Sequence, residues 1–422
     1  VIHEWCVISD YREAKGKWHA MQGLRRSADE ASIPASGPAS GHHYITPVQI
    51  PLLTRIPWDR VNWTTSIFLA VINTLALTAV PLYIWKFGLD WFQVGLFLFY
   101  YITTGLSITL GYHRLFSHLS FKAKTPVKLT TVLFGACAFE NSVLDWCSDH
   151  RKHHKHVDHD DDPYDISKGF MWAHIGWLLF KLGPEMPMDN VNDLKRDRLV
   201  MWQHKWCIPL AFGLGFVVPA LLGFLWNGPV GALGGFLLAG VFRVFAVQHS
   251  TFFINSMCHS VGRQPYSSRC SARDSAIMAL FTFGEGYHNY HHEFQHDYRN
   301  GVKKTNFDPT KWTIWTLEKL GLVSDLRRVP DERILLAEMN ETKRRAARQL
   351  EQPESIAAVF GHQMHDMFHH LSERLAANYE ALEKATSEQV EVSRQAIERW
   401  RRETREFAAL LSDLDRRLPA AA

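Results

Sequence analysis

Four stretches of the chain are almost wholly apolar: Trp63–Trp85, Trp91–Tyr112, Trp206–Trp226 and Pro229–Gln248. Each reaches the roughly 20 residues that an α-helix needs to cross a hydrocarbon core. Trp63, Trp85, Trp91, Trp206 and Trp226 fall at their ends, where an interfacial aromatic belt belongs. Four stretches of this length with almost no charge favour a membrane over the core of a soluble protein. Ala123–Phe139 is apolar but too short and broken to cross, and is expected as an interfacial or re-entrant helix. Asp149–His156 should be helical, Asp158–Asp165 an acidic turn around Pro163, and Asp308–Leu320 a short amphipathic helix. From Asp331 the pattern becomes charged and alanine-rich. There Leu371, Leu375, Tyr379, Leu382, Val390, Ile397 and Phe407 suggest a long amphipathic helix or helical hairpin. The partial heptads of Gln389–Leu414 are too few for a coiled coil. The expected fold class is all-α: an integral membrane protein of four transmembrane helices with a helical cap on one side. Three regions follow: a poorly ordered leader (1–45) with a linker at Ala31–Gly41, a membrane domain (46–330) and a helical C-terminal extension (331–422).

The loops orient this arrangement. Only Lys86 lies between the first two stretches, and no Lys or Arg between the last two. The segment from Tyr112 to Trp206 carries Lys122, Lys124, Arg151, Lys152, Lys195 and Arg196 among others. The positive-inside rule makes it cytoplasmic, and an even number of spans puts both termini there too. The net charge of +3 gives no electrostatic case for nucleic acid. The six cysteines form no CxxC pair, which argues against thiolate metal sites and for a reducing compartment. The start shows no basic segment followed by an apolar core, so no cleaved signal peptide is expected.

Three histidine clusters lie on the cytoplasmic side of this scheme: His113–His118 (HRLFSH), His150–His154 (HRKHH) and His288–His292 (HNYHH). Neutral imidazole ligates iron, zinc and copper. Eight such side chains are too many for one ion and about right for two. Positions i, i+3 and i+4 share a helix face, so each HxxHH can present three nitrogens to one cavity. His113 and His118, five apart, are roughly 140° apart on an α-helix, so they should serve different metals or straddle a helix end. Ligating imidazoles usually donate their other N–H to a carboxylate. Glu140, Asp145, Asp149, Asp158, Glu285 and Glu293 are available, with Asp149 and then Asp145 preferred as second-layer partners. His259, just past the fourth stretch and on the same side, extends the set. His156, His159, His174, His249 and His296 read as supporting or structural. In the tail, His362, His365, His369 and His370 read as a solvated face.

These motifs, with NSMCH at Asn255–His259 and GEGYHNYHH at Gly284–His292, resemble the membrane-bound fatty acyl desaturases, specifically the delta-9, stearoyl-CoA desaturase-like branch, across residues 50–330. The resemblance implies a cytosol-facing centre of two iron ions held by His113, His118, His150, His153, His154, His259, His288, His291 and His292, with Asn255 acting through a water. It implies dioxygen as co-substrate and a fatty acyl chain, acyl-CoA first, as substrate of cis desaturation. With no HPGG haem-binding motif in the sequence, electrons are expected from a separate ferredoxin or small haem protein with its reductase. Ser148 stands where relatives often carry a basic residue, which leaves the acyl carrier open. A hydroxylase of alkanes, sterols or carotenoids on the same scaffold is the alternative. The resemblance further implies that the second span lines the acyl tunnel. Gly105 and Tyr101, eight and twelve residues before His113, lie about 12 and 18 Å deeper by the helix rise, Gly105 leaving room and Tyr101 closing the end. Removing residues 331–422 is expected to spare desaturation.

Overall fold

The computed structural model describes residues 58–181, 188–350 and 362–417. The expected leader lies outside them. Among the described residues, three helical runs are long and apolar enough to cross a membrane: Trp63–Phe87 (α1), Trp91–Ser117 (α2) and Arg198–His259. α2 starts on a capping box, in which the Asp90 carboxylate accepts the Gln93 N–H at 2.8 Å and the Gln93 side chain turns back to Asp90. The third run reverses at Asn227 and Gly228, whose backbone angles are not helical, Gly228 having φ +51°. Its arms, α5 (198–226) and α6 (229–259), pack antiparallel so closely that a Cβ on Gly223 would run into the Gly231 carbonyl. Small residues permit this backbone approach between apolar helices. Both arms outlast the apolar stretches that announce them: α5 begins at Arg198 rather than Trp206, and α6 continues past Gln248 to His259. Hydropathy registers only the lipid-facing part of a helix, whereas backbone hydrogen bonding continues into the polar cap.

The outward faces of these runs are apolar and exposed, with Trp85 at 84% and Leu225 at 81%, an arrangement that water would not tolerate over so large a patch. Between α2 and α5 lie two shorter helices, Thr125–Ala136 (α3) and Val143–His156 (α4). α3, expected as interfacial or re-entrant, packs against α2 and α5. Arg243, fully buried on α6, donates to the carbonyls of Cys137 at the end of α3, Gly215 (2.8 Å) and Ala239 (3.1 Å). Its role is therefore structural: it caps α3 and ties α3 to both arms of the hairpin.

The site side of the molecule is closed by the short helices Ala276–Phe281 (α7), His288–Glu293 (α8) and Pro309–Lys319 (α9). A two-residue antiparallel ribbon pairs Lys122–Ala123 (β1) with Val323–Ser324 (β2). One core of Ile108, Leu110, Tyr112, Leu115, Val143, Leu144, Cys147 and their neighbours sits beneath the histidines. The described residues of the extension form three helices, Asp331–Leu350 (α10), His362–Ser387 (α11) and Arg394–Arg417 (α12), around a separate core that includes Leu335, Met339, Phe368, Leu375, Leu382, Ile397, Phe407 and Leu411. The expected hairpin is thus two sides of a three-helix bundle, and Val390, expected on its apolar face, is exposed in a turn.

Candidate metal centre

The end of α2 is wound as a π-helix from Ser107 to Ser117. In this wider winding backbone bonds run from i to i+5, and the His118 N–H accordingly meets the His113 carbonyl at 3.1 Å. Residues five apart are thereby brought toward one face, and His113 and His118 join a single group at the helix end. Of the two expectations for this pair, service to different metals assumed ordinary α-helical winding, whereas straddling the helix end is what is found, His113 lying within the π-helix and His118 being its C-cap residue. α4 supplies the next ligand cluster: Val143, Cys147 and His150 are buried, and His154 extends the same stripe. Arg151, between the histidines, donates to the carbonyls of Phe116 and Ser117 and grips Asp193 with two nitrogens, fixing α4 to the end of α2.

α8 is only six residues long. Gly284 before it has φ +100°, and a side chain there would strike Asp308, so glycine is what lets this turn carry Glu285 inward. Glu285 is 2% exposed and lies 2.9 Å from His113 Nδ1. Arg114 donates to Glu285 at 2.8 and 3.1 Å, to Asp308 at 3.0 and 3.2 Å, and to the Tyr298 carbonyl at 2.7 Å. One guanidinium thus joins the first histidine cluster to the third.

Nine histidines come together in two groups whose nitrogens lie within 4.8 Å of one another: His113, His118, His150, His154 and His291, and His153, His259, His288 and His292. Each HxxHH cluster is split between them. The i and i+4 positions, His150/His154 and His288/His292, stay together, while His153 and His291 cross to the other group. Positions i+3 and i+4 are about 100° apart on the helix, enough to address neighbouring centres. The groups abut, the rings of His154 and His292 being stacked with centroids 4.3 Å apart.

Within the groups Nε2 atoms face one another: His118 and His150 at 2.8 Å, His154 and His291 at 2.9 Å, His113 and His291 at 3.0 Å, His259 and His288 at 3.0 Å, His288 and His292 at 3.1 Å. The opposite nitrogens of three rings are engaged: His113 by Glu285, His153 by both oxygens of Asp162 at 2.9 Å, and His259 by the Ser271 hydroxyl at 2.7 Å. Burial raises the Asp162 carboxyl, but the His153 hydrogen bond and charge outweigh it and leave it below its ordinary range. For Glu285 burial is likewise overcome, by Arg114 first and then His113. Glu285 and Asp162 therefore lie on the far side of His113 and His153, whose Nε2 atoms face the centre. Burial, reinforced by neighbouring histidines, depresses the pKa of His118, His150, His154, His288, His291 and His292 well below the ordinary imidazole range. Two imidazole nitrogens at this spacing either share a proton or hold a cation between them. Nitrogens each about 2.0–2.1 Å from one ion and at about right angles are about 3 Å apart, which is the spacing found. The donor set is all imidazole, suited to iron, zinc or copper.

The carboxylates that meet ligand rings are not the preferred pair. Asp145 bonds Ser142 and pairs with His204, and Asp149 is not among those reaching an imidazole. Asp162 was legible only as part of the acidic turn; its signal is its place shortly after the second cluster. Asp158 reaches the centre through Ser271. Of the supporting histidines, His296 holds the His118 carbonyl at 2.9 Å, whereas His174 and His249 form a chain from Ser256 to Asn73 on α1. Asn255 lies one helical turn before His259 on α6. Tyr101 and Gly105 share a face of α2, and the space beside Gly105 is taken by the ring of Phe283, which packs on Tyr101 with centroids 5.3 Å apart.

Membrane-length helical runs and two abutting, all-histidine groups able to hold metal define a class, the helical membrane proteins with a histidine-rich metal-binding cap. Within it, residues 89–299 match the family model for fatty acid desaturase, and the chain belongs to that family. It is 40% identical over 282 residues to a probable acyl-CoA desaturase of Schizosaccharomyces pombe, which covers 66% of this chain and 58% of that protein. It is 40% identical over 280 residues to acyl-CoA desaturase 1 of Saccharomyces cerevisiae, covering 64% of this chain and 54% of that protein. The chain thus spans little more than half the length of these two fungal relatives. To the delta(9)-fatty-acid desaturase fat-7 of Caenorhabditis elegans it is 34% identical over 285 residues, 66% of this chain and 83% of the relative.

Proposed function

We propose that the protein is an acyl-CoA desaturase of the delta-9 type, which introduces a cis double bond into a saturated acyl chain at a centre of two iron ions. The observation that carries this reading is the pair of abutting imidazole groups whose Nε2 atoms converge. The functions for which the similar fungal and nematode proteins are named supply the reaction class. His113, His118, His150, His154 and His291 would hold one ion; His153, His259, His288 and His292 the other, with Asn255 holding a water beside it. Bound iron, given dioxygen and two electrons, supplies an oxidant able to take hydrogen from an unactivated methylene, which acid–base side chains cannot do.

The chain's own residues provide the setting. Glu285 and Asp162 hold protons on the far nitrogens of His113 and His153, fixing tautomer and ring orientation. Trp146 stacks on His150 with centroids 4.8 Å apart and, with the buried rings, excludes water from the centre. The acyl chain runs along α2, and Tyr101 with Phe283 closes the deep end beside Gly105. In the membrane, α1, α2, α5 and α6 each cross once, and the histidine cap and both termini face the cytoplasm. The electron donor is a ferredoxin or small haem protein with its reductase.

Expression in a host lacking its own desaturase, followed by mass-spectrometric profiling of fatty acids, tests this reading. Monounsaturated acids with the double bond at carbon 9 are expected. A hydroxylated product, or an unchanged profile from folded, iron-loaded protein, would refute it.

A further inference from the structure

Two buried carboxylates of the C-terminal bundle face the metal-holding region rather than water. Glu338 and Glu341 are one turn apart on α10 and so share a face. Glu341, 4% exposed, accepts the backbone N–H of Ser268 at 3.0 Å. Glu338 lies between Arg401 and Arg405 of α12, each 3.8 Å away, and near enough to Tyr266 to join burial in raising its phenol pKa.

The loop they meet runs between His259 and His288. Asn289, beside His288, accepts the N–H groups of Tyr266 (3.0 Å) and Ser267 (3.3 Å) and donates to the carbonyls of Ser267 (2.7 Å) and Ala272 (3.0 Å). A few residues on, Ser271 sits 2.7 Å from His259 Nδ1 and is held by Asp158 through its N–H (2.6 Å) and its hydroxyl. The loop is therefore fastened by four groups: Asn289 and Glu293 on α8, the latter accepting from Arg269 at 2.6 Å, Asp158 after α4, and Glu341 on α10. Three of these fasteners come from or beside the histidine-bearing segments, and the fourth comes from the extension.

We propose that the C-terminal bundle, through Glu341, positions the 266–271 loop and with it His259 and the second group of imidazoles. Glu341 is a positioning residue, acting through Ser268 and Ser271, and the extension is part of the support of the metal centre. This rests on the two-iron reading above. Neighbours of metal ligands typically tune affinity 10–100-fold; Glu341 acts one step further out, so an effect of about tenfold, confined to one ion, is expected.

The test uses the full chain and three variants: E341A, E341Q, whose amide oxygen can still accept the Ser268 N–H, and N378A, which loses a bundle contact to Glu403. Backbone hydrogen exchange over residues 264–272 is followed in metal-free protein, and iron per chain is followed against increasing chelator. E341A should speed exchange in the loop and release about one of two irons at about tenfold lower chelator. E341Q should restore both readouts, and N378A should change neither. Unchanged loop exchange in E341A overturns the proposal, as does faster exchange with both irons held as in the parent. E341Q behaving like E341A would equally overturn the hydrogen bond as the means. A parent protein that binds no iron under any loading would overturn the two-iron reading, and the exchange data would still decide separately whether Glu341 clamps the loop.

Discussion

Arg114→Gln is the substitution with the largest consequence that can be worked from the structure. The guanidinium is 1% exposed and engages two carboxylates, Glu285 at 2% and Asp308 at 0% exposure, through four N–H···O contacts of 2.8–3.2 Å. Breaking a buried ion cluster from one side leaves uncompensated charge and costs about 3–5 kcal/mol. With two carboxylates orphaned, the upper half of that range is expected. At roughly 2 °C per kcal/mol for chains beyond about 150 residues, the midpoint of thermal unfolding should fall by about 8–10 °C. Glu285, released from Arg114, becomes easier to protonate and a poorer acceptor for His113, so iron retention should also fall. Thermal melts of detergent-solubilised protein, read by size-exclusion recovery, measure the first effect, and metal analysis the second. Adding Asp308→Asn removes one orphaned charge and should recover about 1–3 kcal/mol as a non-additive coupling. A midpoint within about 1 °C of the parent, with both irons held, would refute the account of Arg114 as the tie between the first and third clusters.

Three further outcomes are expected. Asp162→Asn keeps the shape but weakens the acceptor for His153 Nδ1, so iron affinity should drop about 10–100-fold in chelator competition; unchanged affinity would remove Asp162 from the centre. Gly223→Val drives a side chain into the Gly231 carbonyl, so little monodisperse protein should be recovered on size exclusion, and a normal yield would contradict the close packing of α5 on α6. Tyr101→Ala should lengthen the accepted acyl chain and Gly105→Leu, by displacing Phe283, should shorten it; identical product profiles from both folded variants would free these residues of a gating role.

What the sequence made legible follows from periodicity. Eight of the nine histidines that gather in the structure stand out as three clusters in the chain, whereas His259 was added from its place just past the fourth apolar stretch and from the NSMCH motif. Their partition between two groups was not legible, since it depends on how α2, α4 and α8 face one another and on the π-winding that unites His113 with His118. The orienting carboxylates show the same limit. Asp149 is next to His150 in sequence, but adjacent residues on a helix point about 100° apart, so a neighbour in the chain is a poor partner for the ring. Glu285 and Asp162 arrive from turns, whose direction no local pattern encodes. The helix ends were misplaced where the chain leaves the apolar layer and continues as helix into the polar cap.

The contact between the extension and the 266–271 loop left no mark in the sequence, for a physical reason. Glu338 and Glu341 fall beside the stripe of Leu335, Met339 and Ala346 that builds the bundle core, where a sequence reading places solvated charge. A carboxylate at such a position is a surface group until another segment supplies a donor, and the donor here is a backbone N–H with no sequence signature. The expectation that residues 331–422 are dispensable therefore rested on counting ligands and spans, which the tail lacks. Its contact with Ser268 works differently from a ligand. Water could replace Glu341 as an acceptor at little net cost, because exchanging one hydrogen bond for another is nearly neutral, but water cannot hold the loop in one place. Loss of the tail should register as disorder around His259 before it registers as lost folding energy, and loop exchange separates the two where a melting curve would not.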